Sequence, residues 1–434
     1  MMNLRCLVFA LTVLSTFVHS TAQAGPKIER WVAPSGAQVY FVEIRALPIL
    51  DLAIEFVGGS AADPAGKAGV AAMTRSLLDA GAGDLDEEQI SARTVDLGAR
   101  FGSSGDADRI GLSLRTLSSA AEKQGSLDLL GLILTRPTFP EAVLAREKAR
   151  TIAAIQDADT RPDAIAAKRF ATAMYPGHPY GAQATAESVA RIGRDDLVAF
   201  HRDNFHASRA IVSIVGDVSR AEAETIAQRL TAGLPAGQAA SAVPPVTLPA
   251  QEVVKVAHPA TQAHIHMGLP AVKRSDPDYY ALIVGNYILG GGGFVSRLMK
   301  EVREKRGYAY SVYSYFAPRK LEGPFEIGLQ TKREQAGEAL KVATDTLQGF
   351  MAEGPTAAEL HAAKRNLIDG QALRIDSNAK LLGAVQTIAF HGLPLTYLDD
   401  FPKLIESVTA ADVKRAFASH VKPEHMVTVI VGIE

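Results

Sequence analysis

The chain has 434 residues with 45 basic and 47 acidic side chains, a formal net charge of −2, 47% hydrophobic residues, one Cys and one Trp. That length exceeds what one core organises, so two domains of about 200 residues are expected. The apolar fraction excludes disorder, and the balanced charge excludes a nucleic-acid footprint or a polybasic membrane-surface cluster.

Residues 1–24 have the three-part layout of a secretory signal. Met1 to Arg5 is a short basic region, Cys6 to Val18 is an apolar run, and Ala22-Gln23-Ala24 is a small-x-small cleavage site. The apolar run is too short for a transmembrane helix, which needs about 20 residues. A secreted, periplasmic chain beginning near Gly25 is expected, with no membrane association after cleavage. Cys6, the sole thiol, leaves with the signal, which excludes disulfides, cysteine nucleophiles and Cys-based zinc sites from the mature protein.

Strand-like alternation follows at 38–42 and 52–57, the latter ending at Gly58-Gly59. Helices are predicted over 68–79 and 86–97, with Asp86 as N-cap before Glu87-Glu88. Strands return at 110–115 and 210–217. The uncharged, Ala/Pro/Gly-rich stretch 233–249 reads as a linker between an N-terminal domain (25–232) and a C-terminal domain (250–434). The second half repeats the plan: a strand at 263–270, a helix over 277–289, helices over 336–352 and 357–373, and a closing strand at 426–432 whose Val-Gly echoes that of the first half. The fold class is therefore α+β, as two homologous α/β-sandwich units. Each packs helices on one face of a mostly antiparallel sheet, and a linker joins them.

Leu289 to Phe316 (LGGGGFVSRLMKEVREKRGYAYSVYSYF) is the segment richest in chemistry. Gly290, Gly291, Gly292 and Gly293 read as a flexible loop that lets a substrate or partner backbone approach closely, because no Gly-Lys-Ser/Thr follows to make a phosphate loop. A helix over 296–306 ends at Gly307 as its C′ residue. In the strand beyond, Tyr308, Tyr310, Val312 and Ser314 share a face by the period of two. A strand doubling back along its helix brings Arg303 and Tyr310 together as two donors suited to a peptide carbonyl turning negative. Periodicity alone favours the plainer reading, an Arg that caps helix carbonyls and a Tyr that packs.

This segment closely resembles the glycine-rich loop and Arg/Tyr stretch of the pitrilysin-type metallopeptidases, the inverzincins, which include the mitochondrial processing peptidase and bacterial relatives. Landmarks at 175–181 (YPGHPYG), 214–217 (IVGD) and 276–282 (DPDYYAL) occur in the family's order, so the resemblance extends over nearly all the mature chain. It implies that Arg303 and Tyr310 are the family's substrate-carbonyl pair. The family's zinc motif H-x-x-E-H, with its Glu as general base, is missing. Ala72, Arg75 and Ser76 stand at its positions, and the third ligand falls near Ala153 and Ala154. A methyl group cannot coordinate zinc and a guanidinium repels it.

No other zinc motif replaces it. His264 and His266 share a strand face but have no carboxylate ligand in the motif. His201 and His206 read as structural, and His178, in a Pro/Gly turn, as a cap or packing residue. The resemblance therefore implies a chain without a cofactor of its own: the non-metal subunit of a heteromeric zinc metalloendopeptidase. Zinc would sit in a homologous H-x-x-E-H partner, and a peptide would be the substrate. Two other classes remain open: a catalytically inert scaffold or peptide-binding module, and a self-sufficient metallohydrolase with non-standard ligands around His264 and His266.

Overall fold

The computed structural model describes residues 25–237 and 242–433. The signal-like segment 1–24, Cys6 included, lies outside the described residues. The first half runs β1 (Glu29–Val32), β2 (Gln38–Glu43), β3 (Ile49–Val57), α1 (Val70–Ser76), a small hairpin of β4 (Gly81–Ala82) and β5 (Leu85–Asp86), and α2 (Glu87–Asp96). It continues through β6 (Arg100–Gly105), β7 (Arg109–Leu117), α3 (Ala120–Thr135), α4 (Glu141–Ala158) and α5 (Pro162–Met174). The half closes with α6 (Ala186–Ala190), α7 (Arg194–Asn204), β8 (Ala210–Gly216) and α8 (Arg220–Ala232).

The second half contains β9 (Glu252–Ala257), β10 (Gln262–Val272), α9 (Tyr279–Asn286), β11 (Ala309–Phe316) and β12 (Gly323–Lys332). The helices α10 (Ala336–Glu353), α11 (Ala357–Asp369), α12 (Asn378–His391), α13 (Tyr397–Ser407) and α14 (Ala410–His420) follow, and β13 (Val427–Ile433) ends it.

The two sheets repeat one topology. The first has the order β1-β2-β8-β3-β7-β6 and the second β11-β12-β10-β13-β9. Matching β2, β3, β6, β7 and β8 to β9, β10, β11, β12 and β13 superimposes the orders, with β1 as an addition. In each sheet one pair is parallel, β2 with β8 and β9 with β13, and the other pairs are antiparallel. Asp86 caps α2 in a reciprocal box with Gln89, as its place before Glu87-Glu88 leads one to expect.

Within each half the core helices pack on one face of its own sheet, as the sequence reading had them, and the opposite face takes a helix from the other half. Along β2, Val39 and Phe41 enter the core built with α1, α3, α7 and α8, while Tyr40 and Val42 point the other way. That second face, with Ala53, Ile211 and Val215, is covered by Leu381, Leu382, Val385 and Ile388 of α12 from the other half. The exchange is mutual: Ala166, Phe170 and Met174 of α5 cover Val427, Val429 and Val431 of the second sheet. Strands buried on both faces carry near-continuous apolar runs, which is how β8 (AIVSIVG) and β13 (VTVIVGI) read.

A polar latch also crosses between the halves. The buried Asp108 carboxylate accepts the Tyr180 hydroxyl and, at 3.1 Å, the Lys320 backbone N–H. The Tyr175 hydroxyl donates to the Glu322 carbonyl at 3.0 Å.

Candidate functional site

The glycine-rich segment sits at the β11 edge of the second sheet. It is not a free loop: Gly290 and Gly291 belong to the π-helix Tyr287–Gly291 that continues α9. Three glycines fit against the chain's own atoms. A Cβ on Gly290 would lie 2.4 Å from the Ser314 nitrogen, one on Gly291 2.6 Å from Asn286 Nδ2, and one on Gly292 2.6 Å from the Tyr287 carbonyl oxygen. Asn286 fixes this approach by donating Nδ2–H to the Ser314 carbonyl (3.1 Å) and accepting from Ser314 Oγ (2.7 Å). Gly293 alone of the four combines a positive φ (+61°) with open space, and there the chain reverses into the 3₁₀ turn Gly293–Val295.

That turn leaves Phe294 67% and Val295 73% exposed. The next helical segment is held from inside. Ser296 Oγ donates to the Gly293 carbonyl (2.7 Å), and Arg297 grips both Glu359 oxygens (2.8 and 2.7 Å) and the Gly354 carbonyl (2.9 Å). Arg297 in turn holds the Glu359 carboxyl down at about 2, with the Thr356 capping bonds adding to the effect. Met299–Glu304 is π-helical, with Met299 and Val302 facing the core. Gly307 ends the segment at φ +64°, as a C′ residue should, with bonds from Gly307 N to the Arg303 carbonyl (2.8 Å) and from Tyr308 N to the Val302 carbonyl (3.0 Å).

The common face expected for Tyr308, Tyr310, Val312 and Ser314 does not form. The pairing of β11 with β12 shifts between Ala309 and Val312, and this bulge turns Tyr310 out to 85% exposure while Val312 and Ser314 are buried. Tyr310 instead meets Arg303, whose Cζ lies 4.8 Å from the Tyr310 ring centroid. The same Cζ lies 4.8 Å from the Phe294 ring centroid. No carboxylate among the described residues pairs with Arg303. The two side chains are thus brought together, on a cleft of about 570 Å³ also lined by Phe294, Tyr313 and Tyr315. Behind it, Tyr313 and Tyr315 stack at 5.9 Å, and the Tyr315 hydroxyl donates to Glu326 at 2.5 Å. Burial, then the Glu326 carboxylate, pushes the Tyr315 phenol up and keeps it protonated. The ring of Tyr313 lies where a Cβ on Gly328 would be.

The corresponding corner of the first sheet is α1 against β6. Ala72 presents an exposed methyl, and Ser76 spends its hydroxyl on the Met73 carbonyl (3.0 Å). Arg75 reaches across to Ser103 Oγ on β6 (3.0 Å). Ala153 and Ala154 are exposed on α4. Alanine methyls, a hydroxyl spent on its own backbone and a guanidinium do not make a donor set that fits zinc.

The His264/His266 alternative finds no third ligand among the described residues. His266 Nδ1 bonds Glu326 Oε1 at 2.8 Å and its ring packs on Phe170, while burial lowers the His264 pKa. His201 bonds the Leu134 carbonyl (2.8 Å) and stacks on Phe205, and burial lowers its pKa. His178 caps the turn at Tyr180 and bonds the linker at the Pro244 carbonyl (2.8 Å). These two are structural, as read. His206, read the same way, is half-buried, with an Nδ1 that has no bonding partner among the described residues.

Two features escaped the sequence reading. One is Phe294, for which the available signal was a large apolar pair, Phe294-Val295, directly after four glycines. Asp276, Asp278 and His420 converge within 4.8 Å, the one metal-like group among the described residues. Arg415 already bonds both oxygens of Asp278 (2.8 and 3.0 Å), and His420 Nδ1 bonds the Ala271 carbonyl (3.0 Å), so the cluster is an ion-pair network. Residues so far apart in the chain give no local pattern.

Comparison with known proteins places the fold in a family. The family model for the insulinase family, peptidase family M16, matches residues 48–187, and that for the M16 inactive domain matches residues 191–367. The chain is 28% identical to the uncharacterized zinc protease YmxG of Bacillus subtilis over 59% of this chain and 63% of that protein, which is under two thirds of the relative's length. It is 25% identical to the non-peptidase homolog YmxG of Helicobacter pylori over 69% of this chain and 70% of the other. Among solved structures, an M16 inactive-domain peptidase from Pseudomonas fluorescens superimposes with a TM-score of 0.91 at 37% identity, covering 94% of this chain and 98% of that one.

Proposed function

The chain belongs to the M16 peptidase family, and on that premise we propose that it is the non-metal subunit of a heteromeric zinc endopeptidase. One observation carries the reading. Arg303 and Tyr310 converge on an open cleft, while the positions that would hold zinc and the general base offer no ligand atom. The two corners are therefore unequal, and the intact one supplies donors without a nucleophile.

In the assembled enzyme, a homologous partner with H-x-x-E-H would hold the metal and activate water. Arg303 and Tyr310 would orient the scissile carbonyl of a peptide. Their N–H and O–H groups would stabilise the oxygen as it gains negative charge, an effect worth about 3 kcal/mol per donor. The segment 1–24 supports export, so the partner is expected in the same periplasmic compartment.

The test is an affinity pull-down of the tagged mature chain from its own cell envelope, followed by peptidase assay. Recovery of an equimolar H-x-x-E-H protein, and proteolysis that depends on Arg303, is the expected result. A scaffold reading takes support from the relative named a non-peptidase homolog. It predicts a partner without the motif and indifference to Arg303.

A further inference from the structure

Arg303 is held in an unusual way. A functional guanidinium is commonly oriented by a carboxylate or a carbonyl, yet no such contact to Arg303 exists among the described residues. Its neighbours are two aromatic rings, Phe294 and Tyr310, each with its centroid 4.8 Å from Cζ. A cation beside ring faces gains attraction without spending its N–H groups, so these stay free for a ligand. Phe294 comes from the glycine-rich turn: Gly293, at φ +61° with nothing near its missing side chain, reverses the chain, and the turn leaves Phe294 67% exposed. Exposing a large ring in this way forgoes apolar burial, which calls for a local reason.

We infer that Phe294 is a positioning residue. It fixes the plane of the Arg303 guanidinium, so that the N–H groups are oriented toward a peptide carbonyl before the substrate arrives. The inference rests on the Arg/Tyr reading above and adds to it a role for the glycine segment: to deliver one aromatic ring to one cation. Tyr310 flanks the same cation and also brings its own hydroxyl. Phe294 brings no polar atom and acts only through Arg303.

The test uses the mature chain alone, labelled with ¹⁵N-arginine, and a pool of ten-residue peptides acetylated and amidated at their ends, so that no terminal charge is offered. The Arg303 Nε–H resonance, assigned by its loss in Arg303→Ala, is expected to be shifted by the rings and to move further on peptide addition. Phe294→Ala and Phe294→Leu should return it toward the free-arginine position and weaken binding about three- to fivefold, the size of one exposed cation–ring contact. Phe294→Tyr should restore both. Phe294→Leu keeps an apolar side chain at an exposed position, so folding is preserved, and circular dichroism checks this.

If Phe294→Leu binds like the unsubstituted chain while Arg303→Ala does not, the positioning role falls and the donor role stands. If Arg303→Ala binds unimpaired, or the unsubstituted chain binds no peptide, the donor reading itself falls and this inference with it.

Discussion

The two sheets share a strand order, and each has a corner where a helix meets the edge strand: α1 with β6, and the glycine-rich π segment with β11. The first corner is locally ordinary, a short α-helix whose outward residues are a methyl, a hydroxyl bonded to its own backbone, and an arginine bonded to a neighbouring serine. The second breaks several local rules at once, with π-helical turns, a bulged strand, three glycines in contact with backbone or near side chains, and exposed aromatics around an unpaired cation. A fold tolerates such departures where function requires them. The two corners occupy equivalent places in the two sheets, and only the second carries these irregularities.

The sharpest way to break this comparison is to disarm the second corner. In the complex with the partner, Arg303→Ala or Tyr310→Phe should lower kcat about a hundredfold and leave assembly and Tm unchanged, because both side chains lie outside the core. Arg75→Ala, in the first corner, should leave turnover as it was; steady-state kinetics on all three variants decides.

Stability should show the next largest contrast. Gly290→Ala drives a methyl to 2.4 Å from the Ser314 nitrogen and should cost about 2–3 kcal/mol. Gly131→Ala, inside α3 with nothing within 4 Å of the new methyl, should stabilise by about 0.5–1 kcal/mol. Urea unfolding measures both, and equal effects would remove the claim that the glycine segment is packed rather than loose.

Acid should loosen the second corner through Glu359. Its folded pKa of about 2 lies below the ordinary glutamate value of 4.5. The Arg297–Glu359 contribution is therefore complete above about pH 4.5 and is lost as the pH falls toward 2. The pair is partly open to water, so screening leaves about 1–2 kcal/mol. Glu359→Gln should flatten that part of the stability–pH curve. The smallest effect belongs to the first corner: zinc or a chelator added to the isolated chain should not move Tm, because that corner offers no set of ligands among the described residues. A zinc-dependent rise in Tm is the outcome that refutes its loss of metal.

Much of this was legible in the sequence. Alternating apolar residues marked the strands at 38–42 and 110–115, Asp86 announced α2, and Gly307 marked the helix end, because each of these signals is local. The residues standing at the zinc-motif positions, Ala72, Arg75 and Ser76, were readable only through the family resemblance. The outward turn of Tyr310 was not, since a bulge inserts one residue into a period of two without changing composition. Nor was the packing of Gly290 against Ser314, which depends on a contact across 24 positions of sequence. The exchange of α5 and α12 also left no trace, because an amphipathic helix does not encode which sheet it will cover.

That exchange has a consequence for how the molecule comes into being. The last strand of the first sheet, β8, is complete at Gly216, but α12 does not begin until Asn378. During synthesis at about 5–20 residues per second, the face bearing Tyr40, Val42, Ile211 and Val215 stays uncovered for roughly ten to thirty seconds. The N-terminal half is therefore made early and finished late. Its final packing must await a helix that the ribosome has yet to deliver, which leaves a long interval in which a chaperone or an export factor can hold the nascent chain.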